Sequence, residues 1–335
     1  MARGCDLTYG KYVDRQLSED EMWSAFSYLF SSKSRNDTSY KFGFLKSILD
    51  NLYNVDKDLK LTFDQLFSKF AEIYWNLVLK HHILQKSPGK NHRMSSLECV
   101  LTDAKTLYQI EDGIPFESLT DDMMFKICKR VKQQCKDNVV GALFADLSGY
   151  FYSFSKKEEW IQINPQMYEF VCKHKVAIEK LNYYEWAKFL ERVNAESAVD
   201  HLLSKIDESS KRNNLSYYRD ILFREFESKC FYCGKTVNLK NVAVDHFIPW
   251  SFIKDDNLWN FVLACPTCNS QKSDKLANGT YLDILIKRNE GMLIEQFPKM
   301  RNYRSTHLRK VYDWARFNGY KDIWVPKGRA SSICD

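Results

Sequence analysis

No run of about 18 apolar residues occurs in this 335-residue chain, which excludes a membrane-spanning helix. Low-complexity tracts are also lacking. With 44% hydrophobic and 27% charged residues, disorder is excluded for most of the chain. The opening MARGCDLTYGKYVDRQ lacks the apolar stretch of a secretory signal, so the expected location is the cytoplasm. No internal repeat is apparent at periods of roughly 20–50 residues. What is present is an uneven charge and a clustered subset of cysteines.

The chain carries 49 Lys and Arg against 43 Asp and Glu, a net charge of +6. Met1–Asp200 holds 27 basic and 28 acidic residues, whereas His201–Asp335 holds 22 and 15. The whole excess sits in the last two-fifths. Such a segment is either an electrostatic footprint for a polyanion or a solvated basic face.

The coarse pattern is α+β. A mainly helical domain with a small antiparallel sheet is expected over 1–210, and a second domain over 211–335. The boundary is placed in the polar stretch near Ser210–Asn214. Ser18 with Glu21, and Thr62 with Gln65, form capping-box patterns; the second opens a helix expected to reach about Leu84. Tyr40–Tyr53 is amphipathic at helical spacing. Gln85–Arg93 reads as a loop, and Asp121–Lys136 as a helix ending in lysines. Val139–Asp146, Gly149–Phe154 and Trp160–Ile163 read as strands. Helices follow at Asn164-Pro165 and over Asn182–Val193. Aromatic residues make up 15% and read as core material rather than a base-stacking platform. Lys126–Lys136 reads as a solvated helix face that buries Cys128 and Cys135 as small hydrophobes. His81 and His82 are adjacent, point in different directions, and are poor candidates for a shared metal.

Ten cysteines are present, expected to be reduced in a cytoplasmic protein. Four of them form two Cys-x-x-Cys knuckles, Cys230/Cys233 and Cys265/Cys268, separated by 31 residues. Two such pairs match a tetrahedral, structural Zn²⁺ site. Gly234 follows the first knuckle, where a tight turn favours it. The gap exceeds that of a simple finger, so a further element is inserted. Within it, Asn241–Phe247 alternates as a strand and ends in Asp245-His246. Asn260 lies 14 residues after His246, and Asn269 lies 23 after it. Pro266 suits the first turn of a helix from which Asn269 would project. The expected order is strand, loop, strand, helix, with the knuckles tying the ends together.

This segment, CFYCGKTVNLKNVAVDHFIPWSFIKDDNLWNFVLACPTCNSQKSDK over Cys230–Lys275, resembles the HNH (His-Me finger, ββα-metal) endonuclease family and its zinc-stapled members. VDHFIPWSFIKDDNLWN is also similar to the HNH domain of RNA-guided CRISPR effector nucleases, although this chain is far too short to be one. The last motif position is Asn269 rather than the His that names the family, a variant that also occurs among active members. Residues 1–200 resemble no family.

The donor types agree with the resemblance. Asp245 and Asn269 offer hard oxygen ligands, suited to Mg²⁺ or Mn²⁺ rather than to a catalytic Zn²⁺. His246 is an available general base. The resemblance implies that Asn260 holds the loop and the base in place. Lys272 is a candidate phosphate contact. Downstream, Lys287–Arg329 holds 11 basic and 4 acidic residues, with Arg301, Arg304, Arg309 and Lys310 as candidate contacts to a duplex.

The expected activity is metal-dependent hydrolysis of DNA, with the double-stranded form as the expected partner. One such site cuts one strand, so a double-strand break needs a homodimer or successive nicks. Analogy with where such nucleases occur implies restriction or anti-phage defence, with a possible defence partner protein. The alternatives are a non-catalytic zinc module that binds nucleic acid, an RNase, and a homing-type nuclease.

Overall fold

Capping boxes start several helices of this protein, each closing two orphan backbone donors reciprocally. The computed structural model describes residues 4–87, 94–210, 215–292, 300 and 303–326. The chain divides into two units, Met1–Lys211 and Arg212–Asp335.

The first unit opens with β1 (Tyr9–Gly10) and α1 (Glu19–Leu29), the latter boxed by Ser18 and Glu21. It continues with α2 (Tyr40–Asp50), β2 (Lys60–Thr62) and α3 (Phe63–Trp75), boxed by Thr62 and Gln65. Then come α4 (Ser96–Leu107), boxed by Ser95 and Glu98, and the long α5 (Asp121–Asp146). The hairpin β3 (Tyr152–Ser155) and β4 (Trp160–Ile163) leads into α6 (Pro165–Lys173), α7 (Lys175–Val193) and α8 (Leu202–Asp207). The strands form one antiparallel sheet in the order β1-β3-β4-β2. A mainly helical unit with a small sheet is therefore what the sequence pattern leads to.

Two segments differ from expectation. Val139–Asp146 is not a strand but the end of α5. Its apolar residues continue a ladder of period four: Ile127, Val131, Cys135, Val139 and Leu143 are all buried on one helix face. That continuity overrides the local β-propensity of the valines. Gly141 permits a close approach here, because a Cβ would lie 1.9 Å from the Gly4 carbonyl oxygen. The helix after Thr62 also stops short of Leu84. It widens to a π-helical turn over Asn76–Lys80. Asn76 is fully buried there, donating to the Ser209 carbonyl at 3.0 Å and accepting from the Phe116 amide at 2.9 Å.

The aromatic residues are core. Phe44, Phe67 and Phe70 are fully buried, with ring centroids 5.5–5.6 Å apart across the Phe44–Phe67 and Phe67–Phe70 pairs. Of the two cysteines on α5, Cys135 is buried and Cys128 half-buried. Lys132 and Lys136 on the same helix are tied to Glu159 at 2.6 and 2.8 Å.

A buried ionic cluster joins α2 to α7. The Lys46 ammonium donates to Asp50 at 3.0 Å and to the Tyr183 hydroxyl at 2.9 Å, and Tyr183 donates onward to Glu179 at 3.0 Å. Burial opposes both charges, yet the mutual attraction prevails: the Lys46 pKa is raised, and that of Asp50 is lowered by Lys46 and Lys175. Lys46→Met leaves the Asp50 carboxylate buried with a partner removed. The expected loss is about 3–5 kcal/mol of stability, measured by urea denaturation. A loss within the range of surface substitutions would show that the cluster carries no such cost.

The second unit contains α9 (Ser216–Glu225), β5 (Ala243–His246), α10 (Trp250–Ile253), β6 (Phe261–Ala264), α11 (Pro266–Lys272), β7 (Leu276–Ala277), α12 (Gly279–Glu290), α13 (Ser305–Phe317) and β8 (Ile323–Trp324). β5 and β6 pair antiparallel, with Ala243 opposite Ala264 and His246 opposite Phe261. β7 and β8 pair parallel. Among the described residues no helix is long and apolar enough to cross a membrane.

Candidate active site

The two knuckles meet. The Sγ atoms of Cys230, Cys233, Cys265 and Cys268 all lie within 4.8 Å of one another, with Cys233 and Cys265 at 3.8 Å. A tetrahedron of metal–sulfur bonds near 2.3 Å has edges of about 3.8 Å, so the four thiols fit Zn²⁺. Local geometry builds both halves. Gly234 takes a φ of +74°, and its amide donates to the Cys230 carbonyl at 2.9 Å, closing the first turn. Cys265 follows β6 and N-caps α11, with Pro266 at the first helical position. The Phe231 amide donates to the Leu263 carbonyl at 2.8 Å, pinning the first knuckle to β6.

Between the knuckles the expected strand, loop, strand, helix is present, with the short α10 inside the loop. Asp245 and His246 end β5 and are buried, 6% exposed each. Asn260 is fully buried and clamps the loop at two points. Its amide oxygen accepts from the Ile248 amide, and its amide nitrogen donates to the Ile248 carbonyl, both at 2.8 Å. Its own carbonyl accepts from the Phe247 amide at 2.8 Å. The loop after His246 is thus fixed by one residue.

Two residues that the sequence reading passed over complete the site. Asp256 lies 2.9 Å from His246 Nε2. With Nε2 protonated toward that carboxylate, Nδ1 is left as the proton acceptor of a neutral imidazole. The ring is also packed edge-on against Phe261, centroids 4.6 Å apart, and Tyr218 of α9 packs on Phe261 at 4.6 Å. Tyr218 donates its hydroxyl to the Asp256 carbonyl at 2.9 Å, which holds the loop that carries the carboxylate. Tyr232 lies inside the first knuckle and is fully buried. Its hydroxyl donates to Asp245 Oδ2 at 2.5 Å. Burial, then the Asp245 charge, push the Tyr232 pKa well up, so it stays a donor. A tyrosine between two cysteines and an aspartate ten residues past a histidine carry no signal in one sequence without a fold to join them.

Lys272 departs from its expected use. Its side chain is fully buried, and its ammonium lies 3.1 Å from Asp245 Oδ2 and 2.8 Å from the His246 carbonyl oxygen. It reaches Asp245 rather than solvent, so its first role is to offset that buried carboxylate. Asn269 lies three residues earlier on α11, hence on the same helix face. It is half-exposed, and its side-chain amide makes no hydrogen bond with any described residue. A carboxylate has about four lone-pair sites. With Tyr232 and Lys272 as its donors, Asp245 keeps capacity for a cation, and the uncommitted Asn269 amide offers a second oxygen. As oxygen donors, a carboxylate and an amide are of the type that suits a hard divalent ion.

Of the candidate nucleic-acid contacts, Arg301 lies outside the described residues. Arg304 N-caps α13, and Arg309 and Lys310 are exposed on it. Arg309 is paired with Asp283 at 2.7 Å, so part of its charge is spent within the fold. Tyr312 and Trp314 of the same helix are buried, with the Tyr312 hydroxyl donating to the Ala277 carbonyl.

A pair of strands followed by a helix, stapled by four cysteines and carrying Asp-His at the end of the first strand, is the ββα arrangement that the resemblance to the HNH family implies. Residues 230–278 match the family described as HNH endonuclease. The second unit thus carries an HNH endonuclease domain with a cysteine cluster that fits zinc. Comparison of the chain with curated proteins and with solved structures returned no match.

Proposed function

We propose that the second unit hydrolyses phosphodiester bonds of double-stranded DNA, using one Mg²⁺ or Mn²⁺ held by Asp245 and Asn269. The observation that carries this reading is the His246 imidazole fixed through Nε2 by Asp256, next in sequence to the carboxylate that Lys272 of Asn269's helix reaches. When bound, the cation polarises the scissile phosphate and stabilises the departing 3′ oxygen. His246 Nδ1 takes the proton from the attacking water. Asp256 keeps the ring in that tautomer and offsets the imidazolium charge that forms. Asn260 holds the loop so that the ring does not swing away. Zinc at the four cysteines is structural, because no ligand position is left open. The exposed basic residues of α13 supply sequence-independent affinity for the backbone.

The test is incubation of the purified chain with supercoiled plasmid in Mg²⁺, Mn²⁺ or EDTA, beside a matched RNA. Nicking that requires the metal is expected. Tight binding with no cleavage in either metal would favour a zinc module that only binds, and cleavage of the RNA alone would make the enzyme an RNase.

A further inference from the structure

We infer that Lys272 holds the affinity of Asp245 for a divalent cation low until a nucleic-acid phosphate is present, so that metal and substrate bind cooperatively. Such control rests on the reading of Asp245 and Asn269 as the residues that hold the ion.

The Asp245 carboxylate is neutralised from within the fold. The Lys272 ammonium lies 3.1 Å from Asp245 Oδ2 and 3.3 Å from Oδ1. Among the described residues it is the one cation paired with that carboxylate. The other buried carboxylate of the centre, Asp256, faces His246 Nε2 at 2.9 Å, where it offsets charge taken up by the ring.

The ammonium is also held in place. The Lys272 side chain is fully buried, and the His246 carbonyl accepts from it at 2.8 Å. Its helix is tied at the start to the cysteine cluster by Cys265 and Cys268. A surface lysine swings away from an arriving cation; this one stays beside it.

An ion that uses Asp245 therefore shares the carboxylate with a fixed positive charge. Oδ2 accepts from the Tyr232 hydroxyl and faces the ammonium, which leaves Oδ1 the less committed oxygen. Both donors draw on the negative charge that a hard ion needs. Asn269 brings a dipole and no charge. Two like charges beside one buried carboxylate repel strongly, because little water screens them. A phosphodiester supplies the further anion that offsets both. Linkage makes the effect reciprocal: the ion tightens the duplex as much as the duplex tightens the ion. The cleavage centre then loads its metal on the substrate. A lysine that served packing alone would have the opposite effect, since its removal would loosen the site and weaken the ion.

The experiment is titration of the zinc-loaded full chain with Mn²⁺, with and without a short DNA duplex, reading bound ion by electron paramagnetic resonance. His246→Ala is the background in every sample, so that the duplex stays whole. The duplex should tighten Mn²⁺ by about 10- to 100-fold. Lys272→Met should tighten Mn²⁺ by about 10-fold or more without the duplex, and should shrink the gain that the duplex brings. Asp245→Asn reports the Mn²⁺ held elsewhere, on the duplex included. Should Lys272→Met unfold in EDTA, millimolar Mn²⁺ should refold it, read by near-UV circular dichroism. Binding with the duplex that Asp245→Asn leaves unchanged would remove Asp245 as a metal ligand, and the control by Lys272 with it. Binding that depends on Asp245, yet is weakened or unchanged in Lys272→Met, would overturn the control by Lys272 alone. So would Asp245-dependent binding that the duplex does not tighten, or an unfolded variant that Mn²⁺ fails to refold.

Discussion

His246→Ala lowers the rate of metal-dependent plasmid nicking by about 10²–10⁴-fold, the range a positioned general base contributes. The fold should survive, because the ring makes one side-chain hydrogen bond and one edge contact, to Asp256 and Phe261. Zinc content and duplex affinity should also survive. Asp256→Asn is the companion variant. It keeps the shape of the carboxylate and can still bond Nε2, but it removes the charge that faces the imidazolium. A charge-assisted hydrogen bond contributes about 1.5–3 kcal/mol, so cleavage should slow by about 10- to 100-fold with KM unchanged. Added imidazole should restore part of the activity of His246→Ala and none of that of Asp256→Asn, where the ring is still present. Full activity of His246→Ala would remove this residue from the mechanism. Equal loss in both variants together with lowered melting would make Asp256 a structural residue only.

The site was legible where chemistry fixes spacing along the chain. Two Cys-x-x-Cys pairs need four thiolates around one ion, and the structure brings Cys230, Cys233, Cys265 and Cys268 together. Asp245 and His246 were placed at a strand end by alternation, and Asn260 was singled out by the resemblance to the HNH family. The contacts that tune them were not legible. Asp256 reaches His246, Tyr232 reaches Asp245, and Lys272 folds back on Asp245 only through tertiary packing. From sequence, a lysine near a nuclease motif reads as a phosphate contact; its full burial inverts that reading. In the first unit, the starts of α1 and α3 were legible from their capping boxes, whereas α4, boxed by Ser95 and Glu98, went unread. The end of α5 was not, because Val139 and Val140 have strand propensity and only the four-residue burial ladder from Ile127 reveals the helix.

Cys265→Ser sets two effects of opposite sign against each other. Cys265 is the N-cap of α11 and makes no side-chain cap bond, and serine is a preferred N-cap worth about 1 kcal/mol. Against this stands a quarter of a zinc site whose binding supplies about 10–16 kcal/mol to small zinc domains. Zinc prevails, and the variant should lose its metal and melt well below the parent. The damage should also reach the chemistry. Tyr232 lies between Cys230 and Cys233, and its hydroxyl holds Asp245 at 2.5 Å. Its carbonyl accepts from Tyr281 at 3.1 Å, tying the same turn to α12. Once the knuckle opens, Asp245 loses that donor and cleavage fails even where DNA is still bound. Because the ligating thiols must shed protons, zinc loss should also follow acidification, with stability present at neutral pH and falling as pH drops. Zinc stoichiometry by elemental analysis, melting temperature and nicking rate, measured together on parent and variant, check the claim. Tyr232→Phe separates the two parts: it should retain zinc, because the cysteines are untouched, yet lower cleavage by removing the Asp245 donor. Unchanged zinc and melting in Cys265→Ser would sink the structural role of the site, and full cleavage by Tyr232→Phe would sink the link between knuckle and carboxylate.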